Sequence, residues 1–100
     1  MPRELPDYAD QVLALVDRVP VGQVVTYGDL AGMVGSGSGR TTGRVMALYG
    51  GAVPWWRVVL ASGAPAPGHE VEALRRLRDD GVPFRPDGTR VDLGRARWSG

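Results

Sequence analysis

The sequence predicts a mostly helical α/β fold, a single winged helix-turn-helix domain with short strands and a C-terminal hairpin. Two short helical segments are separated only by a flexible Gly/Ser tetrapeptide, residues 36–39, and this pattern predicts the helix-turn-helix. Apolar and polar residues alternate on either side of a Pro-Asp-Gly turn at residues 86–88, which predicts a hairpin that could form the wing. A length of 100 residues with 43% hydrophobic and 23% charged residues fits one compact domain.

The first predicted element is an amphipathic helix over residues 6–19. Pro6 suits a first helical turn, and apolar residues follow at helical spacing, namely Tyr8, Val12, Leu15, Val16 and Val19. The tripeptide at 20–22, Pro-Val-Gly, ends this helix, and a short β-prone run follows at 23–26. Thr26 and Asp29 have the spacing of a capping box. They predict a second helix over residues 27–34, which Gly35 terminates.

The central part of the chain is predicted to hold a third helix, a strand and a loop. The helix covers residues 40–49 and has Val45, Met46, Leu48 and Tyr49 available for packing. A strand-like run follows at residues 58–60, and residues 61–68 form a Pro/Gly/Ala loop with little intrinsic order.

The C-terminal part is predicted to contain a fourth helix, the hairpin and a tail. Val71, Leu74 and Leu77 form a narrow apolar stripe, which predicts a helix over residues 70–80 with Gly81 as its C-terminal cap. The hairpin covers residues 82–93. Residues 94–100 are expected to form a tail that is anchored, if at all, by Trp98, and residues 1–100 then make a single domain.

The composition excludes several kinds of chemistry. Because there is no cysteine, the chain has no disulfide, no thiolate metal ligand and no thiol nucleophile. A single histidine, His69, argues against a zinc site and a Ser-His-Asp triad, so we expect no metal and no cofactor. No stretch approaches the ~20 apolar residues that span a bilayer. We therefore expect a cytoplasmic protein without membrane contact.

The charge distribution points to one segment as a nucleic-acid contact. The net charge of +1 is too small for binding by bulk charge. Residues 21–68, however, contain Arg40, Arg44 and Arg57 against the single acid Asp29. Any contact with a nucleic acid must therefore come from a local face, and this segment is the candidate.

The hexapeptide at residues 54–59, Pro-Trp-Trp-Arg-Val-Val, is the strongest indication of a site. In extended backbone, consecutive side chains point to opposite faces, so Trp55 and Trp56 cannot fill the same core. We expect Trp55 to line a pocket and Trp56 to pack in the core or support its neighbour. A protein-contact role for the pair is the alternative.

These motifs together resemble the DNA-binding domain of O6-alkylguanine-DNA alkyltransferases and, within that group, the alkyltransferase-like proteins. The resemblance covers about residues 8–93 and depends on three features. These are the run at residues 19–31 (Val-Pro-Val-Gly-Gln-Val-Val-Thr-Tyr-Gly-Asp-Leu-Ala), the Arg-led helix after it, and the hexapeptide. Alkyltransferases carry Pro-Cys-His-Arg-Val, in which the cysteine accepts the alkyl group. Alkyltransferase-like proteins typically have Trp in place of that cysteine, and Trp55 occupies that position here.

The resemblance implies a non-enzymatic sensor of DNA damage with no catalytic residue. A helix-turn-helix enters the minor groove, Arg40 intercalates, Gly43 allows close approach, and Tyr27 contacts a phosphate to help rotate the target nucleotide. The resemblance further implies that O6-alkylguanine in double-stranded DNA is flipped into a pocket bounded by Trp55 and is flagged for nucleotide excision repair proteins. We expect a monomer that is associated with the nucleoid when it is bound to DNA. The expected lesion-pocket residues are Tyr27, Trp55, Val58, Ser62 and His69. The expected DNA-binding residues are Thr26, Tyr27, Arg40, Thr41, Thr42, Gly43, Arg44 and Arg57, of which Arg57 is either structural or phosphate-facing.

The chain also departs from the family pattern. Trp56 stands where the family usually has histidine, no asparagine is present for the hinge before the motif, and residues 64–69 replace the usual pocket loop. Two alternatives stay open at this point. One is a winged-helix module that binds undamaged DNA or a protein partner, and the other, weaker one is an active hydrolase or another metal-free enzyme.

Overall fold

The structure, a computed structural model, describes residues 4–100, and this part of the chain folds into helices around one pair of short strands. In chain order the elements are α1 Glu4–Arg18, β1 Val25–Thr26, α2 Tyr27–Val34, α3 Gly39–Tyr49, β2 Val58–Val59, α4 Glu70–Asp79 and α5 Leu93–Ala96. Two 3-10 turns, Gly50–Ala52 and Trp55–Arg57, lie between α3 and β2, and the second is called the tryptophan turn below. The predicted mostly helical class is confirmed. None of the helices within residues 4–100 is long and apolar enough to cross a membrane.

Helices α2 and α3 form the predicted helix-turn-helix, and local sequence signals fix the ends of α2. Thr26 Oγ1 accepts a hydrogen bond from the Asp29 amide, and Asp29 Oδ2 accepts one from the Thr26 amide, each at 3.0 Å. The capping box is therefore present. Gly35 ends the helix with φ 91°, a conformation that glycine adopts without a steric penalty.

The turn between α2 and α3 is held by α1. The Tyr8 hydroxyl donates to the Ser36 carbonyl at 3.0 Å and lies 3.0 Å from the Thr41 hydroxyl. Gly37 has φ 81°, and a Cβ atom at this position would overlap the Tyr8 hydroxyl. The connection over residues 36–39, which the sequence predicts to be flexible, is therefore tethered by a side chain distant in sequence.

The two strands divide the interior into two cores. They pair in parallel, with Val25 opposite Val58 and Thr26 opposite Val59. Because successive side chains in a strand point to opposite faces, Val25 and Val58 pack with α1, α2 and α3, whereas Val24 and Val59 pack with α4 and α5. All four valines are fully buried. The predicted strands at residues 23–26 and 58–60 are present but shorter.

The predicted hairpin is reduced to one antiparallel bridge between Phe84 and Val91. Pro83 and Pro86 have no amide hydrogen and cannot donate to a ladder. Two backbone hydrogen bonds flank this bridge, from the Arg85 amide to the Arg90 carbonyl and from the Asp92 amide to the Pro83 carbonyl, each at 2.9 Å. The Val91 amide donates outside the hairpin, to the carbonyl of Gly63 in the loop before α4, at 2.8 Å. The predicted hairpin is therefore present but short.

The C-terminal residues belong to the fold, and the prediction that 94–100 form a tail is wrong. Ala96 on α5 is fully buried, and Arg97 forms a parallel bridge with Val24. The Trp98 amide donates to the Val24 carbonyl at 2.8 Å, and its ring packs against the core of α1, α2 and α3. Arg97 Nε also lies 2.9 Å from Asp29 Oδ2. Trp98 thus anchors the C-terminus as the sequence suggested, but the segment that it anchors is part of the fold and not a tail.

Candidate functional site

A cavity of about 650 Å³ lies between α3, the 3-10 turn after it, the tryptophan turn and the loop before α4. This volume is within the range of ~300–1,000 Å³ that is usual for pockets that bind small molecules. The lining residues are Tyr27, Gly43, Met46, Ala47, Gly50, Gly51, Trp55, Leu60, Ala66, Pro67 and His69. The structure therefore brings Tyr27, Trp55 and His69 together from separate parts of the sequence, as predicted.

Aromatic rings form the walls of this cavity. The rings of Trp55 and His69 meet edge to face, with centroids 5.7 Å apart and planes at 61°. Within the described residues, neither ring nor the Tyr27 hydroxyl forms a side-chain hydrogen bond, so their polar atoms are available to a ligand. Burial raises the pKa of the Tyr27 hydroxyl, which therefore keeps its proton at neutral pH and can donate.

Glycines keep the other side of the cavity open. A Cβ atom at Gly51 would meet nothing within 4 Å, and one at Gly43 would reach only Tyr27 Cδ1 at 3.9 Å. Internal packing therefore does not require glycine at either position. The empty space they leave is available to whatever approaches α3 or enters the cavity.

The tryptophan turn separates the two indoles, but not in the way the sequence analysis expected. Residues Trp55–Arg57 form a 3-10 turn rather than extended backbone. Trp55 lines the cavity, whereas Trp56 packs beside the core that contains Leu77 and Val91. The two rings meet at 87° with centroids 5.8 Å apart. The predicted placement of the two rings is confirmed, whereas the extended backbone from which it was predicted is wrong.

Asp80, the residue after α4, fixes the tryptophan turn through its carboxylate. Its Oδ2 accepts hydrogen bonds from Trp56 Nε1 at 3.0 Å and from Arg57 Nε at 2.8 Å. Arg57 Nη1 also donates to the Val19 carbonyl at 3.1 Å, which connects the turn to the end of α1. Because the Arg57 side chain is only 12% exposed and its donors are engaged, its role is structural, and a phosphate contact is wrong.

Burial acts to raise the pKa of the Asp80 carboxyl group. The hydrogen bonds from Arg57 and Trp56, together with the positive charges of Arg57 and Arg76, outweigh this effect. The pKa of Asp80 is therefore below its ordinary value of 3.8, and the carboxylate is charged at neutral pH.

Helix α3 presents two arginines to solvent. Arg40 and Arg44 are exposed and form no ion pair within the part of the chain described, and no acidic residue occurs between Gly39 and Tyr49. Arg40 precedes Gly43 by three residues, so the two lie on the same face of the helix. This face combines positive charge with a small residue at the edge of the cavity.

Four predicted site residues lie away from this face and from the cavity. Thr26 is 4% exposed and its hydroxyl caps α2, while Thr42 is fully buried and donates to the Tyr27 carbonyl at 2.7 Å. Val58 is fully buried in the strand pair, and Ser62 lines a separate, smaller cavity near Arg85. The predicted side-chain contacts with DNA or a flipped base are therefore wrong for the buried Thr26, Thr42 and Val58. Ser62 is exposed but does not line the cavity, as had been predicted. Thr41 is exposed, but its hydroxyl accepts from the Ser38 amide at 2.8 Å.

The sequence analysis missed most of the small and aliphatic lining residues, including Met46, Ala47 and Ala66. Only the Gly50-Gly51 pair after α3 offered a local signal, because consecutive glycines rarely serve packing alone. Among the residues whose side chains are described, no cluster of three His, Asp or Glu could hold a metal ion. The absence of a cofactor stays a prediction.

Comparison with known proteins gives concordant matches. Residues 7–81 match the sequence profile of the family described as "6-O-methylguanine DNA methyltransferase, DNA binding domain". The DNA base-flipping protein of Escherichia coli K12 is 34% identical over 97 residues, covering 92% of this chain and 74% of that protein. The bifunctional methyltransferase/endonuclease of Picrophilus torridus is 30% identical over 99 residues, and these cover 93% of this chain but only 32% of that protein.

Solved structures also match over nearly the whole chain. The crystal structure of S. pombe Atl1 in complex with damaged DNA containing O6-carboxymethylguanine aligns with a TM-score of 0.82 at 26% identity, covering 95% of this chain and 97% of that chain. A structure of S. pombe ATL in complex with DNA aligns with a TM-score of 0.79 at 27% identity, with the same coverage.

Replacement of Asp80 by Asn tests the support of the tryptophan turn. We expect the free energy of unfolding at pH 7 to fall by about 2–3 kcal/mol, because two donors lose a charged acceptor. Since the folded-state pKa of Asp80 is depressed, its contribution is complete above the ordinary pKa of 3.8 and is lost as the pH falls through the lower folded-state value. Urea unfolding at several pH values should therefore show that the free energies of unfolding of the wild-type and Asp80→Asn proteins become equal in acid. A difference independent of pH would contradict this account.

Proposed function

The chain belongs to the family of the 6-O-methylguanine DNA methyltransferase DNA-binding domain, and on that premise we propose that it recognises O6-alkylguanine in duplex DNA without repairing it. It has no cysteine and therefore no acceptor for an alkyl group. The observation that carries the proposal is the aromatic cavity, which is bordered by Gly43 and lies beside an arginine-bearing helix. A flipped base would enter this cavity and be held there without reacting.

The cavity has suitable physical properties for a purine. Extrusion of a base from the duplex costs a few kcal/mol and is easier when its pairing is already damaged. Stacking on an aromatic side chain returns about 1–3 kcal/mol per base in proteins that bind single strands. We assign this stacking to Trp55. We assign hydrogen bonding to the base to the Tyr27 hydroxyl and the His69 ring. An alkyl group on O6 would lie among the apolar lining residues.

Helix α3 is proposed to enter the minor groove, with Arg40 filling the gap that the flipped base leaves. Gly43 supports this arrangement because a glycine one turn from Arg40 lets the helix backbone approach the groove closely. Arg44 is exposed on the same helix and is proposed to contact a phosphate. The near-neutral chain would then bind DNA through one local face rather than through bulk charge.

The relatives extend this proposal. Two matched proteins are named for base flipping or were crystallised with damaged DNA, and we transfer both properties to this chain. Because nothing in the pocket reacts with the lesion, the complex would end only by dissociation. A long residence time on a distorted duplex can serve as a signal, and we propose that nucleotide excision repair proteins receive it.

The central experiment compares binding to two duplexes that differ only in a central O6-methylguanine or guanine, at one stated salt concentration. We expect tighter binding to the modified duplex, which should be recovered chemically unchanged. Replacement of Trp55 by Ala should reduce the preference by about tenfold, because one stacking partner is lost. Equal binding of both duplexes by the wild-type protein would instead favour a module for undamaged DNA or a protein partner.

Replacement of Arg40 by Ala should weaken binding to both duplexes by about tenfold or more at low salt, because a positive charge at the DNA surface is lost. Arg95→Ala is the matched control, since Arg95 is exposed on α5 and carries the same charge. Fluorescence anisotropy titrations of the three proteins provide the comparison. If the Arg40 and Arg95 variants bind alike, Arg40 is not at the interface.

Replacement of Gly43 by Ala should separate stability from binding. The fold accommodates the new Cβ atom at 3.9 Å from Tyr27, and alanine is favoured over glycine within helices by about 0.8–1 kcal/mol. We therefore expect a slightly higher free energy of unfolding but weaker DNA binding. Urea denaturation and anisotropy measure the two quantities, and unchanged affinity would show that the helix does not approach DNA closely at this position.

A further inference from the structure

We propose that Trp56 is a positioning residue, which sets the orientation of the Trp55 ring and thereby the preference of the pocket for a modified base. The proposal rests on the proposed function, because it assigns the pocket to a flipped guanine. It concerns the position at which this chain departs from the family pattern, where tryptophan replaces histidine. It follows from a set of contacts that join the pocket wall to α4.

Contacts outside the pocket fix the Trp56 ring. Its indole N–H donates to Asp80 Oδ2 at 3.0 Å. The guanidinium carbon of Arg76, on α4, lies 4.5 Å from the centre of the Trp56 ring, and that of Arg57 lies 5.3 Å from it. A hydrogen bond and two cation–π contacts therefore restrict both the position and the tilt of this ring.

Trp55 lacks comparable polar contacts within the described residues. Within the described residues its indole N–H has no hydrogen-bond partner, so packing alone orients the ring. The rings in contact with it are Trp56, at 5.8 Å and 87°, and His69, at 5.7 Å and 61°. His69 is exposed, whereas Trp56 is partly buried and fixed to α4. The orientation of Trp55 is therefore set mainly by Trp56.

A Trp55 ring that is already fixed in the binding orientation should increase the affinity of the pocket for a base. A wall that already stands in the binding orientation loses little freedom when the base stacks on it, so more of the stacking energy appears as affinity. This gain applies only to a base inside the pocket. Loosening Trp56 should therefore reduce binding of the modified duplex and leave binding of the plain duplex through α3 unchanged.

The test measures the ratio of dissociation constants for the guanine and O6-methylguanine duplexes. Trp56→Ala should lower this ratio by about tenfold, and Arg76→Met by about threefold, the size expected for one cation–π contact. Arg75→Met is the matched control, because Arg75 and Arg76 both pair with Glu72, but only Arg76 contacts Trp56. Phe84→Ala controls for general destabilisation, because Phe84 packs against the same core away from the cavity.

The proposal is supported if the ratio falls in Trp56→Ala and Arg76→Met but keeps its wild-type value in Arg75→Met and Phe84→Ala. It is overturned if the Arg76 and Arg75 variants behave alike, or if Trp56→Ala discriminates as the wild-type protein does. A wild-type ratio of one would refute the proposed function instead.

A spectroscopic readout on the free protein remains decisive in that case. The far-ultraviolet circular dichroism couplet of the two coupled indoles should lose amplitude in Arg76→Met and keep it in Arg75→Met. An unchanged couplet in Arg76→Met would overturn the positioning role, whatever the binding data show.

Discussion

The parallel pairing of β1 with β2 is the constraint on which the rest of the molecule depends. Four fully buried valines, Val24, Val25, Val58 and Val59, place one core on each side of the pair. Helix α2 begins directly after β1, and the tryptophan turn ends directly before β2. A fixed register between the strands therefore fixes the distance between the helix-turn-helix and the pocket wall. A slip of one residue would exchange the two cores and turn every strand side chain to the wrong face.

Local signals predicted the parts of the fold whose causes lie within a few residues. The capping box of Thr26 and Asp29 and the left-handed Gly35 define α2 almost without reference to other elements. The errors arose where distant residues decide. Tyr8 immobilises a turn that glycine and serine alone would leave flexible, and Trp98 attaches the C-terminus to Val24 across more than seventy positions. Nothing in a sequence window displays such contacts.

The functional site was predictable to the extent that its residues are chemically unusual. Tyr27, Trp55 and His69 stand out in the sequence, and the structure brings them together in one cavity. A cavity is also defined by absent atoms, which is why the glycines and small aliphatic residues of its lining escaped notice. Thr42 illustrates the opposite error. It lies between the exposed Thr41 and the partly buried Gly43, yet it is itself fully buried and its hydroxyl holds α3 to the Tyr27 carbonyl.

The distribution of ion pairs separates the two tasks of a lesion-binding protein. In the part of the chain that the structure describes, five arginines pair with acids, and four of their six ion pairs are exposed on both sides and weak. These arginines are Arg57, Arg75, Arg76, Arg90 and Arg97. Within the described residues, α3 has cations but no compensating acid, so attraction to phosphates is concentrated there and weakens as salt rises. The lining residues of the pocket include no arginine and no acid. Under the proposed function, attraction to any duplex and retention of a particular base would thus depend on different residues, and a near-neutral protein would release undamaged DNA quickly while it holds a base that fits its pocket.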